Sequence, residues 1–517
     1  MPGHSDCNGA RATRTIEGTR TRRVVSVSLF LLATVPQACQ PDLPTAPRGS
    51  SSTGAVTSRA ATRLAFATPP PASGEANVVI SPRLEVVLQD SLGHTVLGAS
   101  DTVTLALADN PSDAVLLGTT TVVAVDGLAT FADLSVDRPG SYRLAATAAG
   151  LTATSISFAA HVTFASVDGG YVHSCGVATG GAGYCWGDNA VGQLGDGNST
   201  SPYRSSPAPV AGGLRFTTIS AGIWHSCGVT TSGAAYCWGD NFFGQLGNGS
   251  SAEATTPVPV AGGFRFASVS AGSFHTCGIT TSGTAYCWGD NQNAQLGDGT
   301  MERRAMPAPV AGGFRFTTIS AGHGHTCGVI TGGVAVCWGD DSSGQLGDGT
   351  AAAAPNTSRS HPARVVGVRR FAAVSAGNVH TCGVTTGGVV YCWGYNIWGQ
   401  LGDGTTTQRS QPVPVAARLR FAAVDAGSYS SCGVTIDGAA YCWGENVDGE
   451  VGDGTTVSRS SPVPVAGGLR FATVRAGWYH VCGMLAGRGA SCWGYNAHGQ
   501  LGDGTTTSTT APAPLIQ

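Results

Sequence analysis

The tripeptide Cys-Trp-Gly recurs seven times, with its tryptophan at 186, 238, 288, 338, 393, 443 and 493. A chain that repeats at an interval of 50 to 55 residues is confined to architectures in which like units stack or close on one another, because one short unit cannot bury its own apolar face. The longest interval, Trp338 to Trp393, carries an Ala-rich insert around Ala351–Ser358. One unit, residues 214–260, reads LRFTTISAGIWHSCGVTTSGAAYCWGDNFFGQLGNGSSAEATTPVPV. It parses into four strands. RFTTIS alternates apolar and polar residues, HSCGVTT and AAYCWG flank a turn at Ser232-Gly233, and PVPV carries prolines that suit an edge. Four strands per unit and seven units, over 162–517, predict a seven-bladed β-propeller. A copy of the edge strand closes the chain at 512–515, and the count leads us to expect it to pair near Phe164–Val167 and latch the ring.

Fourteen of the sixteen cysteines fall two per unit, always ten residues apart. The pairs are Cys175 with Cys185, Cys227 with Cys237, Cys277 with Cys287, Cys327 with Cys337, Cys382 with Cys392, Cys432 with Cys442, and Cys482 with Cys492. The turn lies midway between them, so each pair faces across a hairpin and a disulfide can form. Zinc sites need four convergent ligands, whereas each pair here is confined to its unit. Structural disulfides are therefore expected, and an oxidising compartment with them.

Three motifs follow one another in the units: Gly-x-x-His-x-Cys-Gly, then Tyr-Cys-Trp-Gly, then Asn-x-x-Gly-Gln-Leu-Gly-Asp-Gly-Thr. In them the chain resembles the regulator of chromosome condensation repeat family, through all seven units. The resemblance implies the propeller fold. It also implies, by analogy, nucleotide exchange on a small nuclear GTPase and a seat on nucleosomes. A fold hosts many functions, however, and an exported chain would meet neither partner.

His173, His225, His275, His325, His380 and His480 share one position, with Ser430 there in the sixth unit. Each lies two residues before a Cys, hence on the same sheet face, which packs on the next blade. They are expected to bond between blades rather than to hold a metal. The Asp-Gly pairs at 196, 298, 348, 403, 453 and 503, with Asn248-Gly249, are expected as turns.

Two pairs of positions vary between units. One precedes the His (Tyr171-Val172, Ile223-Trp224, Ser273-Phe274, Ser428-Tyr429, Trp478-Tyr479) and one follows the Cys-Trp-Gly strand (Phe242-Phe243, Ile397-Trp398, Ala497-His498). In an up-and-down blade both loops lie on one face of the disc. Trp224, Phe242, Phe243, Phe274, Trp398, Tyr429, Trp478 and Tyr479 are the candidate ligand-binding residues there.

Ahead of the repeats, residues 64–160 carry alternating runs at 84–90, 102–108 and 142–150 between turn signals, which predict a β-sandwich. GLATFADLSVDRPGSYRLAATAAG, 127–150, resembles the C-terminal half of bacterial immunoglobulin-like domains. The fold class expected is thus all-β, a propeller behind an immunoglobulin-like sandwich. Residues 40–63 are rich in Pro, Ser, Thr, Ala and Gly and read as a linker. Residues 1–39 read as an export signal: Arg20, Arg22 and Arg23 precede an apolar stretch from Val24 to Val35, too short for the roughly 20 residues of a membrane span. Ala38-Cys39 resembles a lipoprotein cleavage site, but Pro36 and Gln37 depart from its pattern. Acylation of Cys39 and plain secretion both stay open.

All 28 basic residues are Arg and the net charge is −3, which argues against a nucleic-acid partner. No nucleophile–base set recurs, and nothing asks for a cofactor or metal. The expectation is a non-enzymatic exported protein of the cell envelope or extracellular space. Its propeller face would contact a surface protein or glycan, with a structural role without soluble ligand as the alternative. Membrane contact would come only through a lipid anchor at Cys39.

Overall fold

The computed structural model describes residues 60–110, 114–198, 200–350, 358–367, 369–416, 418–487 and 489–516. The export signal, Cys39 and most of the predicted linker lie outside them. The described residues contain no α-helix, only strands and one short 3-10 turn at Ala466–Gly468.

Seven four-stranded antiparallel sheets follow one another in chain order. In the second, Phe216–Ala221 is innermost, His225–Thr230 and Ala235–Gly239 form the middle hairpin, and Ala254–Pro259 is the outer edge. The prolines sit on that edge, where a missing N–H breaks no ladder. Within the hairpin Cys227 stands directly opposite Cys237, and the same register holds in every blade. A disulfide is formed in each of the seven hairpins. Cys175 is bonded to Cys185, Cys227 to Cys237, Cys277 to Cys287 and Cys327 to Cys337. Cys382 is bonded to Cys392, Cys432 to Cys442 and Cys482 to Cys492. The paired Cα atoms are 4.0–4.1 Å apart.

The apolar cores lie between blades. Cys175, Val177, Cys185 and Leu194 of the first blade pack on Phe216, Ile219, Ala221 and Trp238 of the second. The same set recurs around the ring. All seven repeat tryptophans are fully buried in these seams.

The expected strand latch is not there. Phe164–Gly169 pairs with His173–Ala178 in its own blade, and the C-terminal strand Thr509–Pro514 pairs with Ala490–Gly494 in its own. Each unit begins at its inner strand and ends at its outer edge, so seven complete units leave no strand to share. The first and last blades meet instead through side chains and loops: Ser174 with His480 at 2.7 Å, the Trp186 indole N–H on the Gln500 carbonyl at 2.9 Å, and the Trp478 amide on the Gly170 carbonyl at 3.0 Å.

The preceding region forms a three-stranded sheet from Arg63–Thr68, Leu84–Gln89 and Leu128–Phe131. A larger sheet is built around Thr102–Asp109, Gly140–Ala148 and Phe158–His161. Leu84, Val86 and Leu88 alternate inward, as the period-2 pattern requires. Tyr142, which follows the strand-opening Gly140, donates its hydroxyl to the Arg138 carbonyl at 2.9 Å. The core of this region runs without a break into the first and last blades, through Phe164, Tyr184, Trp186 and Met484. Asn77 also donates to the Tyr184 hydroxyl at 2.5 Å.

Closing an eleven-residue loop removes denatured-state entropy equivalent to about 2–3 kcal/mol. A Cys277→Ala, Cys287→Ala variant is expected to lose about that much in guanidinium unfolding. A loss under about 0.5 kcal/mol would show that the bridge closes no loop that matters to the unfolded chain.

Candidate binding face

One carbonyl organises each blade interface. The Gln of the Gly-Gln-Leu-Gly loop presents its backbone oxygen to the following blade. Gln193 O accepts from the Trp238 indole N–H and the Ser226 hydroxyl, both at 2.9 Å. The Ser226 oxygen in turn lies 2.9 Å from Nε2 of His173. A hydroxyl has one proton, and this one goes to the carbonyl, so the histidine must be the donor. The tautomer is therefore Nε2–H, and Nδ1 has no partner in any of the six histidines. The same triad recurs at Gln245, Gln295, Gln345, Gln400 and Gln500. Gly195 (φ 68°) lets this loop turn, and a Cβ there would stand 2.7 Å from the Trp238 ring.

The histidines are fully buried. Burial pushes His173, His225, His275 and His380 down to about 3, and His325 and His480 to about 4. Neighbouring histidines add to this for His173. They are neutral hydrogen-bond donors. Among the described residues no group of His, Cys, Asp and Glu converges as a metal site. The Asp-Gly turns are likewise structural. Asp298 accepts from the Thr300 amide and from Arg304 of its own outer strand.

The interface from the sixth blade to the seventh departs from the pattern at three positions together. Ser430 replaces the His, Val481 replaces the Ser or Thr it would bond, and Glu450 replaces the Gln. The Trp493 indole still donates to the Glu450 carbonyl at 2.9 Å. Burial pushes the Glu450 carboxyl up to about 7, with Asp448 and Glu445 adding repulsion. In blades one to four the side chain of this Gln binds an Asp that follows Cys-Trp-Gly, as Gln245 does Asp240 at 2.7 Å. Tyr395 and Tyr495 replace that Asp in blades five and seven, and the side-chain NH2 groups of Gln400 and Gln500 are left without a partner, while their Oε1 atoms accept from the Trp398 and His498 amides. Glu445 replaces it in blade six, and among the described residues no cation meets its carboxylate.

These loops carry the two variable pairs onto one face, around the mouth of the axial channel. The channel cavity there is about 80 Å³, walled by the Ala-Gly steps of the inner strands. Tyr171 is in ring contact with Trp224 (5.3 Å), Trp478 (5.0 Å) and Tyr479 (5.5 Å). Trp478 reaches across the mouth to His323 of the fourth blade at 5.7 Å. From there the belt runs through Phe274 and Phe243 to Phe242, which is 68% exposed. Arg303 lies 4.4 Å over the Phe243 ring. Tyr429 joins Tyr395 in a second group. Trp398, 40% exposed, stands apart from both. Of the eight residues expected at this face, Trp224, Phe242, Phe243, Phe274, Trp478 and Tyr479 thus form one belt. Tyr171 and His323 are its joints and were not among the eight, although both occupy the first variable position.

Below the mouth the inner strands carry a second ring. The residue before each Ala-Gly accepts from the Ala amide of the next blade, as Ser220 does from Ala271 at 3.1 Å. At the seventh blade this residue is Arg475, which cannot accept. It lies 3.7 Å from Asp168 and 3.8 Å from Asp425, bridging the blades on either side. Burial still pushes the Asp168 carboxyl up to about 6.

Comparison with known proteins agrees with this geometry. The family model described as RCC1-like domain matches residues 262–516, and that of the regulator of chromosome condensation (RCC1) repeat matches 181–229 and 232–279. The probable E3 ubiquitin-protein ligase HERC4 of Homo sapiens is 41% identical over 80 residues, 15% of this chain and 8% of the ligase. The mitochondrial RCC1 domain-containing protein RUG3 of Arabidopsis thaliana is 34% identical over 98 residues, 19% of this chain and 22% of that protein. The chain thus spans under a quarter of the length of these relatives. Human WBSCR16 superposes with a TM-score of 0.58 at 20% identity, covering 66% of this chain and 92% of its own. Prp20p of Saccharomyces cerevisiae does so at 0.57 and 20%, covering 68% and 87%.

Two outcomes follow for the interfaces. The histidines are neutral when folded but take up protons near 6.5 when unfolded. Their contribution is therefore complete above that pH and falls as pH drops toward 4, with proton uptake on unfolding approaching six. Melting temperature measured from pH 8 to pH 4 should fall steeply below about pH 6; a flat profile would mean that the rings are solvated. Separately, Ser430→His and Val481→Thr together should show a favourable coupling of about 1 kcal/mol in a double-mutant cycle. Strict additivity would contradict the triad.

Proposed function

With RCC1 repeats closed into an RCC1-like propeller, this chain, we propose, is a non-enzymatic binding module whose aromatic face captures a protein or glycan. The observation that carries the reading is the continuous belt from Phe242 to Trp224 across the channel mouth. Large amphipathic rings held by packing lose little entropy on binding and dominate recognition surfaces. Glu445, half-buried beside Tyr479, supplies a carboxylate next to the rings. The preceding sandwich, read as an immunoglobulin-like stalk, would hold the propeller away from its point of attachment. Seven disulfides favour an oxidising, extracellular setting and disfavour nucleotide exchange on a cytoplasmic GTPase. Among the described residues no helix is long and apolar enough to cross a membrane.

The test is capture from envelope extract and glycan pools by the full chain, beside a Trp224→Ala, Trp478→Ala variant. Loss of a hot-spot ring typically removes 2 kcal/mol or more, about 30-fold in affinity. The parent is expected to retain a partner that the variant loses, with the melting temperature little changed. Identical recovery by both would favour a purely structural role.

A further inference from the structure

The opposite face of the disc has its own chemistry. It is made of the hairpin turns of the middle strands and the linkers that lead into each inner strand. Arg215, Arg265, Arg315, Arg370, Arg420 and Arg470 each stand immediately before the first residue of an inner strand, one per blade from the second to the seventh, and all six are exposed. Arg369 and Arg418 are in the same linkers, and Arg369 lies 4.2 Å over the Tyr391 ring. Among the described residues of these turns and linkers the sole acid is Asp437, which pairs with Arg470 at 3.2 Å.

Five of these six guanidinium groups are positioned by a bond to the preceding blade. Arg215 donates to the Gly180 carbonyl at 2.7 Å, Arg265 to Ser232 at 2.6 Å, and Arg420 to Gly387 at 3.0 Å. Arg315 donates likewise to the Ser282 carbonyl. Each bond reaches the turn of the preceding blade and uses one edge of the fork. The remaining N–H groups are free for a carboxylate or sulfate, which Arg grips in two-point fashion. The first blade has Thr163 in place of the arginine, and it is the blade on which the sandwich packs, through Asn77 and Tyr184. The charges thus form an open arc rather than a closed ring. The other face carries Glu445, Asp448 and the Asp residues after Cys-Trp-Gly, so a chain of net charge −3 keeps a basic surface by segregation.

We propose that this arginine arc is a second binding surface, one that holds a linear acidic polysaccharide bearing carboxylate or sulfate groups. A polymer with regularly spaced charge can follow the arc from blade to blade. A flat bilayer is a poorer fit, because the sandwich stands on the first-blade sector. Single-stranded nucleic acid is also a poorer fit, since it needs exposed rings for base stacking. Here Phe264 is packed on Tyr286 at 4.3 Å, and Phe314 on Phe316.

The test uses the full chain against polygalacturonate and heparin, with dextran, single-stranded DNA and anionic phospholipid vesicles alongside. Both acidic polysaccharides should bind and dextran should not. The dissociation constant should rise about tenfold or more between 50 and 200 mM NaCl, as charge neutralisation requires. An Arg265→Gln, Arg315→Gln, Arg420→Gln variant should lose binding at least tenfold. The matching Arg→Lys variant, which keeps the charge and guards against a folding artefact, should recover part of it. A Trp478→Ala variant should bind as the parent does, separating this surface from the aromatic face. Binding no better than dextran, undiminished binding by the Gln variant, or tighter binding of DNA or vesicles than of either polysaccharide would overturn the proposal.

Discussion

The backbone carbonyl of the Gly-Gln-Leu-Gly loop is the contact on which the ring depends. It takes the tryptophan N–H and the hydroxyl proton of the following blade. Saturating that oxygen turns the hydroxyl into an acceptor and fixes the histidine tautomer behind it. Every member is buried, where an unmade bond costs about 1–3 kcal/mol. One register of blade against blade therefore satisfies the set. The apolar seams around the tryptophans and disulfides supply the bulk of the cohesion, and the polar triad makes the angle between blades specific.

This explains how the ring closes without a shared strand. The contact between the seventh and first blades uses the same triad, through Ser174, His480 and Gln500. The ion bridge at Arg475 is added in the inner ring, where Arg475 stands in place of the accepting side chain of the other blades. It also explains the sixth interface. Losing the hydroxyl alone would strand an imidazole N–H, whereas losing the His alone would leave the hydroxyl still donating to the carbonyl. With Ser430 opposite Val481, no imidazole N–H faces a residue that cannot accept at this interface. Glu450, at the same seam, keeps the carbonyl that Trp493 needs.

Much of this was legible in the sequence. The seven-fold Cys-Trp-Gly spacing gives the blade count, and the invariant ten-residue cysteine interval, from Cys175 and Cys185 through Cys482 and Cys492, gives the hairpin register. The position of His two residues before Cys places it between blades. The triad was not legible, because its central atom is a main-chain oxygen and belongs to no side-chain motif. The latch expectation failed for a related reason: strand count alone says nothing of which strand of a unit is innermost. At the aromatic face, repeat comparison marks the variable positions, but it cannot tell that Trp478 spans the mouth to His323 while Trp398 does not. The arginine arc was visible as an Arg before the inner-strand Phe in six units, and the net charge of −3 hid it.

Polar triads between blades, each centred on a main-chain carbonyl, rather than a shared strand, are the central claim, and histidine nitrogen NMR tests it directly. Long-range proton–nitrogen correlation at neutral pH should show six imidazoles as neutral Nε2–H tautomers, with no exchange to the charged form down to about pH 5. Nδ1–H tautomers, or ordinary titration near pH 6.5, would show that the rings do not donate to the hydroxyls. The blades would then have to be held by packing alone.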